Sequence, residues 1–130
     1  MMSKVWTISC LATILLLGLA ACGGGMTPGD VIEAYLAAIA AKDDVRSVNL
    51  SCLEWEEEAR AEGAAFDANE VALEDVSCQA VEEQDDSAVV TCSGRIRFSY
   101  DGGAEEYLVL EGRSFRTVLE DGEWKMCGYQ

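Results

Sequence analysis

"LEDGEWKMC", residues 119–127, decides the fold. Asp-Gly between two runs that alternate apolar and polar residues is the strongest short-range hairpin signal. With Asp121 and Gly122 as a two-residue turn, Leu119 opposes Trp124 and Arg116 opposes Cys127. The same period of two continues upstream. "EEYLVLEGRSFRTVL" (105–119) reads as one strand, "SAVVTCSGRIRFSY" (87–100) as another and "VALEDVSCQAVEE" (71–83) as a third, joined across "DGGA" and "QDD". The expectation is a four-stranded antiparallel meander. If the first hairpin turns about Asp85, Cys78 falls opposite Cys92, close enough for a disulfide. Val76, Val90, Ile96 and Phe98 then share their covered face. A bulge at Asp101-Gly102-Gly103 would shift the faces beyond it by one.

Upstream of residue 70 the period is helical. "TPGDVIEAYLAAIAAKDD" (27–44) offers Thr27 as cap, Pro28 at the first helical position and Asp30 as the capping-box acid. Ile32, Tyr35 or Leu36, and Ile39 then recur at helical spacing, so a helix is expected over 28–41. "KDDVRSVNL" (42–50) reads as a turn or second helix with Val45 and Val48 inward. Ser51 and Glu54 form another capping-box pattern, opening a helix whose Cys52, Trp55, Ala59 and Phe66 share a face. Glu54 and Glu56–Glu58 are read as a solvated helix start favoured by the dipole, since no convergent oxygen set appears. Helices first and strands after give an α+β class, helices packed on the meander.

Composition narrows the chemistry. The chain has 130 residues, 24 Asp+Glu against 9 Lys+Arg, a formal charge of −15 and no His. Such a body repels nucleic acid and, without a tether, anionic lipid. Without His, Ser-His-Asp and Cys-His catalysis are closed to these residues.

Residues 1–21, "MMSKVWTISCLATILLLGLAA", carry one charge, Lys4, then an apolar run and small residues. This is the three-part pattern of a signal peptide. Leu19-Ala20-Ala21-Cys22 resembles the bacterial lipobox. The resemblance implies that Cys22 becomes the first mature residue and carries lipid, an anchor of two or more acyl chains. Residues 22–26 would be the lipidated Cys and a glycine tether, and 27–130 the domain. The address implied is extracytoplasmic, at the cell membrane or outer membrane. The competing expectation is an ordinary secretory peptide cleaved near Ala21. Of the six Cys, Cys10 leaves with the leader and Cys22 takes the lipid. Cys52, Cys78, Cys92 and Cys127 remain for two disulfides. With Cys78 paired to Cys92, Cys127 is left for Cys52. Structural zinc is the rival, though no Cys-x-x-Cys occurs.

The helical opening, the meander and the hairpin Asp121, Gly122, Glu123, Trp124, Lys125 resemble the small NTF2-like (cystatin-like) bacterial lipoproteins. The resemblance spans 27–130 and implies a curved sheet wrapped on an N-terminal helix. That family includes pocket enzymes, binders and dimerisation modules, so fold alone leaves function open. Its enzymes place Asp, His or Tyr in the cone. Asp30, Asp75, Tyr35, Tyr100 and Tyr107 are available here, in no selecting motif, and no catalytic residue, cofactor or metal is assigned. Tyr35, Trp55, Phe98, Tyr107 and Trp124 are candidates for a pocket wall or for core. Arg95, Arg97, Arg113 and Arg116 are expected to pair with Glu105, Glu106 or Glu111, the other reading being an anion site.

Three functions follow as expectations. The first is a non-enzymatic, membrane-anchored envelope module binding a protein or a small apolar ligand. An apolar cavity between helix and sheet favours the ligand; one filled by Trp55, Phe66 and Phe98 favours protein contact on the outer face. The second is a small isomerase or hydrolase using a buried carboxylate, Asp30 or Asp75 first. The third is acidic cation binding.

Overall fold

The computed structural model describes residues 25–100 and 102–130. The leader, Cys22 and the first glycines of the tether lie outside the described residues. Helix α1 (Pro28–Ala40), α2 (Asp44–Asn49), a 3-10 turn (Leu53–Trp55) and α3 (Glu56–Phe66) come first. Strands β1 (Asn69–Glu83), β2 (Ser87–Tyr100), β3 (Glu105–Val109), β4 (Ser114–Glu120) and β5 (Glu123–Tyr129) follow. The sheet is antiparallel, curved and unclosed. Its order is β1-β2-β4-β5, with β3 also on β2.

The α+β class and the helix-then-strand order stand as expected. So does the α1 cap: the Thr27 hydroxyl accepts from Asp30 N–H at 3.2 Å, and the Asp30 carboxylate accepts from Thr27 N–H at 3.0 Å. Val31, Ile32, Tyr35, Leu36 and Ile39 are buried on the face this cap sets. They meet Val90, Cys92, Ile96, Leu110, Phe115 and Met126 to form the core. Among the described residues every element and this whole core lie within 28–129.

The hairpin registers were legible in part. Cys78 pairs opposite Cys92, and Leu119 opposite Trp124. The β4–β5 register runs as far as Thr117 opposite Met126, and then a bulge intervenes, so Arg116 does not face Cys127. A second bulge lies between Glu74 and Ser77, where Asp75 adopts φ 52°. It switches parity, so that Val71 and Leu73 on one side and Val76 and Cys78 on the other all reach the core. Gly94 is required there: at φ 94° a Cβ would run into the Asp75 carbonyl. Both disulfides, Cys78–Cys92 and Cys52–Cys127, are formed. They leave no thiolate for zinc among the described cysteines, and they belong to an oxidising, extracytoplasmic compartment.

Three local expectations are corrected. The strand expected over 105–119 is two strands. β2 is long enough to pair its C-terminal half with β3 and its N-terminal half with β4. The join folds into a turn in which Arg113 N–H donates to the Leu110 carbonyl at 3.1 Å and Gly112 takes φ 83°. The sheet therefore has five strands. Ser51 does not cap a helix: its hydroxyl donates to the Ser47 carbonyl at 2.7 Å. Backbone bonds Cys52 N–H to Met126 O and Met126 N–H to Leu50 O hold Ser51 in a bridge beside β5, so α3 starts later, at Glu56. Val45 points outward, 74% exposed, because α2 buries Ser47 and packs through Val48.

Candidate functional site

The break between β3 and β4 shapes a cavity. Leu110 turns inward there, and Arg113 stands at the rim. The cavity occupies about 290 Å³ between α1, α3 and the sheet. Leu36, Ile39, Phe66, Ile96, Leu108 and Phe115 supply apolar wall, and Glu62, Arg113 and Tyr129 are its polar residues.

Glu62 is the centre of a hydrogen-bonded cluster. Tyr129 donates its hydroxyl to the carboxylate, 2.8 Å from Oε1 and 2.9 Å from Oε2. Tyr35, fully buried on α1, donates to Oε2 at 3.2 Å. Trp55 Nε1–H donates in turn to the Tyr35 hydroxyl at 3.3 Å. Burial pushes the Glu62 carboxyl above the usual range, and the bonds from Tyr129 and then Tyr35 partly offset this. Burial and the Glu62 charge raise both phenols, so both remain protonated donors. Tyr129 is 49% exposed as a residue, and its ring packs edge-on against Trp55 at 5.5 Å and tilted against Phe115 at 5.3 Å.

The residues expected to line a pocket are distributed differently. Tyr35 is core, reaching the site through its hydroxyl. Trp55 is second in the same chain of bonds. Phe98 stacks on Phe66 at 5.0 Å, so Phe66 is the ring on the cavity and Phe98 backs it. Tyr107, 45% exposed, lies on the outer face under the Arg95 guanidinium, 4.0 Å from its ring centre. Trp124 lines a separate groove with Met26, Asn49 and Leu50. The structure does not bring these five aromatics together on one wall.

Neither carboxylate first considered for catalysis faces the cavity. Asp30 is taken up in the α1 cap, and its hydrogen bonds with Thr27 hold its pKa down. Asp75 is exposed at the bulge on the outer face with Glu74 and Arg95. Two of the four arginines form ion pairs, Arg95 with Glu74 at 2.7 Å and Arg97 with Glu105 at 3.4 Å and Glu74 at 3.8 Å, of which only Arg97–Glu105 is an expected pair. Glu111 instead accepts from Gly94 N–H at 3.1 Å, and Arg113 Nε donates to the Val109 carbonyl at 3.2 Å. Arg116 lines a shallow polar groove with Glu82 and Gln130.

Sequence reasoning missed Glu62. Its signal was present: Trp55, Ala59, Glu62 and Phe66 recur at helical spacing, so an acid interrupts an apolar stripe. Tyr129 had no comparable mark, and Arg113 was marked only as one of four strand arginines.

No protein-family model and no curated protein matches the chain. Several solved structures resemble it in fold. A SEC-C motif containing protein from Rhodopseudomonas palustris superposes with TM-score 0.55 at 16% identity, over 79% of this chain and 78% of that one. A candidate polyketide cyclase from Pseudomonas putida KT2440 gives 0.53 at 16%, over 82% and 92%. A candidate calcium/calmodulin dependent protein kinase II association domain from Xanthomonas campestris gives 0.50 at 14%, over 77% and 80%. At these identities the likeness is one of fold alone: helices against a curved, open antiparallel sheet.

Proposed function

We propose that this is a non-enzymatic binding module for a small, mainly apolar ligand, held at the outer side of a membrane by lipid on Cys22. The observation that carries the ligand reading is the apolar cavity of about 290 Å³ with a single hydrogen-bonding end at Glu62. Pockets of this size and lining suit small ligands, few polar groups setting orientation. Support for the anchor is the lipobox-like Leu19-Ala20-Ala21-Cys22, together with disulfides that require an oxidising compartment.

The ligand reading is tested with a neutral apolar fluorophore, N-phenylnaphthylamine, whose emission rises in an apolar site. Wild type should enhance it saturably. Ala65→Trp, at an exposed position on the cavity wall, should abolish the enhancement while circular dichroism is unchanged. No saturable enhancement by wild type would refute the reading. For the anchor, intact mass of the membrane-extracted protein should show a diacylglyceryl mass that Cys22→Ala lacks.

A second reading, a carboxylate-dependent isomerase or hydrolase, is favoured by one feature: Glu62 lines the cavity with its pKa raised by burial, as a general base requires. It moves the acid from Asp30 or Asp75 to Glu62. Solvent deuterium exchange into an enolisable ketone, lost in Glu62→Gln, would favour it over simple binding.

A further inference from the structure

The hydrogen-bonding end of the cavity is built on one carboxylate, Glu62, with the Arg113 guanidinium at the rim. Glu62 accepts from two phenols, yet none of the ion pairs among the described residues includes it. A half-buried carboxylate without a cation is an incomplete electrostatic unit: hydrogen bonds satisfy part of its acceptor capacity, and a charged donor completes it. The wall around it is apolar. The chain's charge of −15 also raises the local concentration of cations over anions at any cleft.

Resting on the binding reading above, we infer that the cavity takes a lipophilic ammonium, its apolar body against Leu36, Ile96, Leu108 and Phe115 and its N–H donors on Glu62. Charge-assisted bonds of this kind are about twice as strong as neutral ones. A ligand ending in a carboxylate would meet Glu62 with like charge. A ligand ending in a hydroxyl would satisfy geometry but leave the charge uncompensated. Arg113 at the rim opposes a cation, but it is exposed, screened by water, and its Nε already donates to the Val109 carbonyl.

The test uses three ligands with one body: phenylbutylamine, phenylbutanol and phenylbutyrate, titrated calorimetrically into the oxidised domain, residues 25–130. The amine should bind about tenfold more tightly than the alcohol, and the butyrate weakest. In Glu62→Gln the amine should lose that advantage while the alcohol is unchanged. Wild type read against pH provides the same discrimination without a substitution. The groups around Glu62 are Tyr35 from α1, Tyr129 from β5 and Arg113 before β4, with Asp44 of α2 against the neighbouring Gly63. The two phenols, both raised, keep their protons through the acid range. Amine affinity should therefore fall as pH is lowered through the Glu62 titration, while alcohol affinity stays flat. Alcohol binding equal to or tighter than amine binding, an amine advantage that survives Glu62→Gln, or an amine affinity flat with pH would each overturn the ammonium inference and leave the cavity reading standing. Absence of binding by all three, together with no fluorophore enhancement, would remove the cavity reading itself.

Discussion

The two disulfides close loops of very different length, and this gives a prediction with a magnitude. Cys52 and Cys127 are separated by 75 residues, Cys78 and Cys92 by 14. Loop-closure entropy removed from the unfolded chain is worth about 4.5 kcal/mol for the first and about 3 kcal/mol for the second. Three of the four cysteines are at most 7% exposed, so cavity costs on substitution by Ala are comparable and largely cancel between the pairs. Cys52→Ala/Cys127→Ala should therefore be less stable than Cys78→Ala/Cys92→Ala by about 1.5 kcal/mol. In urea, that separates the midpoints by roughly 1 M at an m-value near 1.5 kcal/mol per M. The longer bridge also holds the site. Cys52 precedes the 3-10 turn that carries Trp55, and Cys127 lies two residues before Tyr129. Under conditions where both variants are folded, only Cys52→Ala/Cys127→Ala should weaken N-phenylnaphthylamine binding. Equal midpoints, a lower midpoint for Cys78→Ala/Cys92→Ala, or equal loss of binding in both would refute the loop-length argument or its link to the cavity.

Further expected outcomes follow from single groups. Glu62 has its folded pKa raised above its ordinary 4.5, so the folded state binds the proton more tightly than the unfolded state does. Its contribution to stability is therefore fully present below pH 4.5 and is lost as pH rises through the folded value; Glu62→Gln should flatten that part of a stability–pH curve measured by urea unfolding. Tyr129→Phe removes a donor at 2.8 Å and should raise the Glu62 pKa further, read from its carboxyl carbon-13 shift against pH. Thr27→Ala should cost about 1 kcal/mol by loss of the α1 cap, measured by chemical unfolding. Gly94→Ala forces a Cβ toward the Asp75 carbonyl at a positive φ and should lower the thermal midpoint by more than Thr27→Ala does.

What could be read ahead of the structure was what near neighbours along the chain, or one turn's geometry, dictate. Thr27 and Asp30 cap because they stand three residues apart. Asp121-Gly122 sets Leu119 against Trp124 because a two-residue turn allows one register. The expected pairing of Cys78 with Cys92 is formed, though the strand reaches it through a bulge between Ala80 and Glu82, and the leftover Cys52 and Cys127 pair. Departures came where a distant element competed with the local pattern. Ser51 resembles a cap, but Met126, brought alongside from β5, takes the backbone around it. One alternating run over 105–119 becomes two strands because β2 offers two places to pair. Glu62 is an acid on an apolar stripe until Tyr35, 27 residues away, and Tyr129, 67 residues away, converge on it. Periodicity reports which face of an element is covered; it carries no record of which remote side chain covers it. The class of fold, the helix cap, the turn positions and the pairing of the cysteines were thus legible in the sequence alone, while the bulges that set the strand registers, the cavity and its carboxylate were decided by tertiary packing.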